Sequence, residues 1–348
     1  MQAIAQRRKK IAVTIRDIAR LAGVSVSTVS RSLNGNPRIS EATRERIKKI
    51  ADELDFEFDA SARSLSTRRS GTVAIIVPAF LDQFANTLYL NLLIYDIREN
   101  LAARGLDCIV TEAETPDGQS TVRRLVLQRK VDGIILLLES NRPEDWSLIK
   151  KRGIPVIHVH YMPTYFDTER LDYFFTDNVR GGRVATEALL DSGCRNLACL
   201  MDVCRNPEMQ DREKGFVEAL GERGLSADSR LCLSVENSFA GAYEAVRRNI
   251  GLLRRADGIF VTTDIMALAT LRALADSGIH VPQDYKIVGY DDIEICTYVR
   301  PTLSSVHQPH EEISRLACER LVRLLNGEGM DQVEQRLIAP TFVRRDSC

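Results

Sequence analysis

From Gly71 onward the chain alternates short continuous runs of Val, Ile and Leu with segments of helical periodicity, and this alternation most narrows the folds open to it. The runs TVAIIVP, LDCIVTEA, VDGIILLL and IPVIHVH show no polar alternation. Strands written that way have both faces buried, as in a parallel sheet covered by helices on each side. Helical stretches are expected over 89–104, 120–130 and 146–152, the first ending at Gly105 and the last at Gly153. The pattern restarts after Asn178, with helices over 182–192, 212–223, 240–253 and 265–277 between the strands NLACLMD, LCLSVE, DGIFVTT and YKIVGYDD. Two successive doubly wound lobes of parallel sheet imply a cleft between them, where strand C-termini and helix N-termini gather ligands. The tail, a helix over 308–326 followed by QRLIAPTFVRR, is expected to cross back to the first lobe. The unit 71–348 thus divides into a first lobe of 71–176 with 305–345 and a second of 177–304.

The first 70 residues are built differently, as an all-α head. In TIRDIARLAGVSVSTVSRSLNG, residues Ile15, Ile18, Ala19 and Ala22 share one helical face, and Gly23 then breaks the pattern. Ser25 is placed to cap a second short helix running to about Asn34, burying Val24, Val29 and Leu33 and exposing Val26, Ser27, Ser30 and Arg31. Two short helices about a glycine turn, the second rich in small polar residues, are the sequence form of a helix-turn-helix, a module that reads DNA. A third helix from Ser40 carries Ile47, Ile50, Ala51 and Leu54 on one face and can close a three-helix core over Ile18 and Val29. This head spans 14–58, behind a flexible basic arm at 1–13, and 59–70 is a linker with no apolar face of its own.

Charge follows the same division. The chain's net charge is −1, yet residues 1–70 hold 15 Lys and Arg against 8 Asp and Glu, leaving 32 against 40 for the rest. A basic head on an acidic body fits a nucleic-acid contact confined to the head. The apolar runs are too short to span a bilayer, and no apolar stretch resembling a signal peptide follows RRKK. A cytoplasmic protein without membrane contact is expected. Eight cysteines without CxxC pairs read as thiols in a reducing compartment, and no cofactor is expected.

The residues VTIRDIARLAGVSVSTVSR, ASARSL, TDN(x)RGG, R(x)KGF, TTD(x)MAL, VP(x)D(x)KIVGYDDI and PTLSSVHQP, in this order from about Val13 to Arg345, resemble the lactose-repressor (LacI/GalR) family of transcriptional regulators. The resemblance implies a homodimer with N-terminal DNA-binding heads, hinge helices and periplasmic-binding-protein-like sensor lobes, acting on a palindromic double-stranded operator under control of a small, carbohydrate-like effector. Thr14 and Ser25 are expected to touch phosphates. By family position Val26, Ser27 and Arg31 read bases, Arg31 by a bidentate guanine contact and Val26 by apolar contact. For Ser27 and Thr28 the competing reading is plain solvation of a helix surface, and Asn34 is expected to cap or to touch the backbone. In the hinge, Ala62 and Leu65 are implied DNA contacts, with Leu65 wedging a minor-groove step.

For the effector the resemblance implies Phe84, Arg212 and Asp264, with Phe239 and Asp291 as further placements. An interdomain ion pair for Arg212 and a helix cap for Asp264 are the structural alternatives. Three rival functions follow from the residues. An enzyme is disfavoured: HQPHEE, with His307, His310, Glu311 and Glu312, suggests metal ligands only superficially, and there is no HExxH, P-loop or GxSxG. No catalytic residue and no metal are therefore expected. A sugar-binding transport receptor would need an export signal. A DNA-binding regulator whose cleft senses nothing is the milder alternative, suggested by Gln83, Ala85 and Cys194, which depart from the family pattern.

Overall fold

A computed structural model describes residues 13–33, 36, 38–54, 56, 69–78, 84–138, 142–162, 170–204 and 206–348, with side chains in the segment that starts at 84 described from residue 88. The chain divides into two compact units that meet at Gly71. No helix among the described residues is long and apolar enough to cross a membrane.

The N-terminal unit contains α1 (Ile15–Ala22), α2 (Val26–Leu33) and α3 (Glu41–Glu53). The amide and hydroxyl of Thr14 both donate to Asp17 Oδ2, at 3.0 and 2.7 Å, so α1 starts on its own side chains. Gly23 ends the helix at φ +64°, a conformation costly for residues with a Cβ. Ser25 Oγ accepts from the Thr28 amide at 3.1 Å and so caps α2. Ile18, Val29 and Ile47 are fully buried between the three helices, with Ala19, Ala22 and Ala51 beside them. Ser32 is also buried, a polar residue on the face expected to be apolar.

The second unit contains β1 (Thr72–Val77), α4 (Phe84–Ala102), β2 (Asp107–Glu112), α5 (Thr121–Leu127), β3 (Gly133–Leu136), α6 (Pro143–Arg152), β4 (Val156–Val159) and β5 (Asp172–Thr176). It continues with α7 (Asn178–Asp191), β6 (Leu197–Asp202), α8 (Pro207–Glu222), β7 (Cys232–Val235), α9 (Phe239–Arg248), α10 (Ile250–Leu253), β8 (Gly258–Val261), α11 (Asp264–Asp276) and β9 (Lys286–Asp291). The last elements are β10 (Ser304–His307), α12 (His310–Leu325), β11 (Gln335–Ile338) and β12 (Thr341–Val343). The strands form two six-stranded sheets, ordered β11-β5-β4-β3-β1-β2 and β12-β10-β9-β8-β6-β7. All pairings are parallel except β10 with β12. In each sheet the strand order reverses beside its first strand, where Val73 faces Gly133 across one seam and Cys108 across the other. That reversal opens a crevice at the strands' C-terminal ends. Val73, Ala74, Ile75 and Ile76 are all fully buried, as continuous apolar strands require.

Two features differ from the sequence expectation. Strand β5, with Phe174 and Phe175 buried, was not foreseen, because DYFFT lacks a β-branched run. The tail is shared between the lobes instead of belonging to the first. Strand β10 lies beside β9 in the second sheet, with Val306 fully buried, and β12 pairs with its other edge. Helix α12 and strand β11 do return to the first lobe: Ile313, Ala317, Cys318 and Leu321 are buried there, and β11 extends the sheet beyond β5. The last residues turn back to the second lobe, where Ser347 Oγ accepts from the Ser304 amide at 2.8 Å and donates to the Ile287 carbonyl at 2.7 Å. The chain therefore crosses between lobes three times, after β5, after β10 and after β11.

Candidate functional site

A cavity of about 450 Å³ opens between the two sheets of the second unit. Its walls come from the residues that follow parallel strands: His160 and Tyr161 after β4, Asp202 at the end of β6, Glu236 and Asn237 after β7, Thr263 after β8 and Asp291 at the end of β9. Leu88 and Tyr89 of α4 and Asn206, Glu208, Met209 and Arg212 around α8 also line it.

Arg212 is the centre of this site. It is 1% exposed, and its Nε donates to Asn178 Oδ1 at 2.9 Å while Nη1 donates to the Thr262 carbonyl at 2.5 Å. Its guanidinium stacks 3.7 Å from the centroid of the Tyr290 ring, whose hydroxyl donates to the same Asn178 Oδ1 at 3.0 Å. A buried guanidinium held on three sides keeps its remaining edge toward the cavity in one orientation. Asp291 Oδ1 lies 3.9 Å from Nη1 and accepts from Gln308 Nε2 at 2.7 Å. Burial pushes the Asp291 carboxyl above the usual range, against the pull of the Arg212 charge. Gln308 in turn accepts from Thr176 Oγ1 at 2.9 Å. Two lobe crossings, Thr176 and Gln308, are thus wired to the cavity carboxylate.

The first-lobe wall is aromatic. The His160 ring lies 5.2 Å from Tyr89 and 4.2 Å from Tyr161, and burial with the nearby Arg212 charge pushes its pKa down to about 3. A neutral imidazole between two phenol rings offers flat surfaces, one donor and one acceptor. On the opposite side, Thr263 Oγ1 donates to Asn237 Oδ1 at 2.9 Å, and Glu208 Oε1 accepts from the Met162 amide at 2.8 Å.

Of the residues expected around an effector, the structure brings together Arg212 and Asp291. Asp264 is not part of the lining, a correction with a clear cause. It is fully buried at the first position of α11, where Oδ2 accepts from the Ile293 amide at 3.0 Å and Cys296 Sγ at 3.1 Å, and Oδ1 from Ser305 Oγ at 2.6 Å. Its neighbours Thr263 and Ile265 face the cavity instead. Phe239 is also outside the lining, 42% exposed at the start of α9, while Glu236 and Asn237 of the preceding turn take its place. Phe84 opens α4, and its side chain lies outside the described residues, as do Gln83 and the Ala85 side chain. Cys194 has no bearing on the cleft: it is buried in the turn before β6, its thiol donating to the Asp257 carbonyl at 3.3 Å. Sequence reasoning did not place Tyr89, His160, Asp202, Glu236 or Asn237 at the effector cavity, although it noted His160, with His158, near a strand end. Four of these follow or end parallel strands, a positional rule that needs only the strand boundaries.

The N-terminal unit presents a separate surface. Val26, Ser27 and Arg31 are exposed along α2, Ser25 is exposed at its start, and Thr28 is half-buried. Ser25 Oγ lies 2.8 Å from both Ser27 Oγ and Thr28 Oγ1, so the cap also holds the two hydroxyls beside it. Thr14 is exposed at the start of α1. Asn34, Ala62 and Leu65, and with them most of the 59–70 hinge and the 1–13 arm, lie outside the described residues.

Comparison with known proteins agrees with this two-part build. Residues 14–58 match the profile for bacterial regulatory proteins of the lacI family, and residues 186–348 match a periplasmic binding protein-like domain. The ribose operon repressor of Escherichia coli (strain K12) is 29% identical over 339 residues, covering 96% of this chain and 99% of its own length. The HTH-type transcriptional regulator CelR of Thermobifida fusca is 31% identical over 339 residues, covering 97% and 98%. A solved CelR–cellobiose complex superposes with a TM-score of 0.70 at 30% identity, covering 97% of this chain and 100% of that one.

Proposed function

We propose, because this chain belongs to the lacI family of bacterial regulatory proteins and is a DNA-binding transcriptional regulator, that a neutral, hydroxyl-rich small molecule held between its two sheets sets its affinity for DNA. The observation that carries this reading is the fixed Arg212–Tyr290–Asp291 group at one cavity wall, facing the Tyr89, His160 and Tyr161 rings at the other. A guanidinium and a carboxylate side by side supply donors and acceptors to a polyol, and ring faces pack on its C–H surfaces. Among the described lining residues Arg212 is the one permanent cation, against Asp202, Glu208, Glu236 and Asp291. That balance disfavours a phosphate or a carboxylate ligand. The names of the relatives, a ribose operon repressor and a regulator solved with cellobiose, point to the same class.

In this reading two copies of the chain pair, and their heads meet two half-sites of a palindromic operator. Thr14 and Ser25 meet phosphates and Arg31 reads a guanine, with Val26, Ser27 and Thr28 beside it on α2 and Asn34 just beyond. Ala62 and Leu65 of the hinge enter the minor groove between the heads. The working place is the cytoplasm, where the chromosome lies. Ligand that draws Asp291 toward itself acts through Gln308 on Thr176, and so on two of the three lobe crossings. It shifts the protein toward whichever lobe arrangement binds it more tightly, and DNA affinity follows that arrangement.

Thermal unfolding of the full chain against neutral sugars, sugar phosphates and nucleobases tests the ligand class. Ligand at a hundred times its Kd adds about 2.7 kcal/mol to stability. A shift with neutral sugars and none with their phosphates supports the reading. A response confined to phosphates or nucleobases, or no response in the set, contradicts it.

A further inference from the structure

The motif HQPHEE, set aside from sequence alone, occupies the crossing from the second lobe to the first. His307 ends β10, and His310 and Glu311 open α12. One ligand atom from each of His307, His310 and Glu311 lies within 4.8 Å of the others. Glu311 Oε2 is 3.5 Å from His307 Nε2 and 3.6 Å from His310 Nδ1. Two ligands of one tetrahedral zinc ion, each bound at about 2.0–2.2 Å, stand roughly 3.4 Å apart. The spacing therefore needs only small side-chain rotations, and Glu311, 63% exposed, is free to make them.

The second observation is how the rings are held. His307 Nδ1 lies 3.3 Å from Asp292 Oδ2, and Arg345 anchors that carboxylate at 2.5 Å. His310 Nδ1 lies 2.5 Å from Asp96 Oδ2 on α4. His307 turns Nδ1 to the Asp292 carboxylate and Nε2 to Glu311, whereas His310 turns the one nitrogen, Nδ1, toward both Asp96 and Glu311. A carboxylate behind a histidine is the outer-shell arrangement that orients imidazole for a metal. Here it occurs at His307, while the Glu311 carboxylate reaches both rings and Asp96 lies beside His310 Nδ1 as a further oxygen donor. The rings themselves are 5.5 Å apart between centroids.

We propose that His307, His310 and Glu311 form a binding site for one divalent transition-metal ion of the zinc class, with His307 oriented from behind by Asp292, and with Asp96 beside the His310 nitrogen. Imidazole and carboxylate together suit zinc, nickel and cobalt better than magnesium or calcium. His307 is fixed to the second sheet, whereas His310, Glu311 and Asp96 belong to elements packed in the first lobe. The ion bridges the lobes at a crossing and favours the lobe arrangement that completes its shell.

The test is a Co2+ titration of the full chain, followed by visible absorption and by calorimetry. One Co2+ per chain is expected, with ligand-field bands and without the intense charge-transfer band of a thiolate. Zn2+ displaces it. His310→Ala removes binding, and Glu311→Gln, a change at an exposed side chain that leaves the fold intact, weakens it at least tenfold. A parent chain that takes up no Co2+, or variants that bind it as tightly as the parent, overturns the proposal.

Discussion

In the proposed sensor the central residue is Arg212, and its value lies in being immobile. Asn178, the Thr262 carbonyl and the Tyr290 face leave it one free direction. Lysine keeps the charge but loses the fork and the stacking. Arg212→Lys is expected to lose one charged hydrogen bond to ligand, about 1.5–3 kcal/mol, read as at least a tenfold rise in Kd by calorimetry with the best sugar. An unchanged Kd would remove Arg212 from the ligand site. Asp264 makes the opposite point. From TTDIMA its place before a helix is legible, but whether its carboxylate turns outward is not, because that depends on Ile293, Cys296 and Ser305, remote in sequence. Burial, reinforced by the Asp291 charge, raises its pKa even though three donors oppose the shift. The folded state then keeps a proton that the unfolded chain sheds above about pH 3.9. Stability from this group is fully present below that value and declines as pH rises through the raised folded value, by at most about 1.4 kcal/mol per pH unit. Urea unfolding from pH 5 to 8 should show the parent losing stability relative to Asp264→Asn. A difference that stays flat or grows with pH contradicts this.

At the scale of elements, the alternation of apolar strands and helices was enough to foresee two parallel-sheet lobes, because burial of both faces leaves its mark on every strand. It could not assign the tail. QRLI and TFV are both short edge strands, separated by Ala339 and Pro340, and periodicity says nothing about which sheet receives each. The motifs RGG and KGF were recognisable as signatures, and the structure supplies their physics. A Cβ on Gly182 would stand 2.0 Å from the Arg212 carbonyl, and one on Gly215 would stand 1.9 Å from the Val179 carbonyl. Helices α7 and α8 touch through bare backbone, and this contact sets where Arg212 starts. Gly182→Ala is expected to destabilise the protein by about 1–3 kcal/mol and to weaken ligand binding with it. A variant as stable as the parent by denaturant unfolding would show that the helices can part without loss.

For the whole molecule, the division of charge and of architecture coincide: a basic three-helix head ends where an acidic pair of lobes begins. The head carries the basic charge and the exposed helix surface that suit phosphates, and among the described residues the lobes enclose the cavity of about 450 Å³. In the proposed mechanism the three lobe crossings, two of them bonded in series from Asp291 to Thr176, are where a change at the cavity becomes a change in lobe arrangement. The most direct measurement of this account is selection from a random duplex pool by the purified full-length chain at moderate salt. It predicts enrichment of one palindrome, two inverted half-sites at fixed spacing. Recovery of duplexes no richer in any palindrome than the starting pool would contradict it.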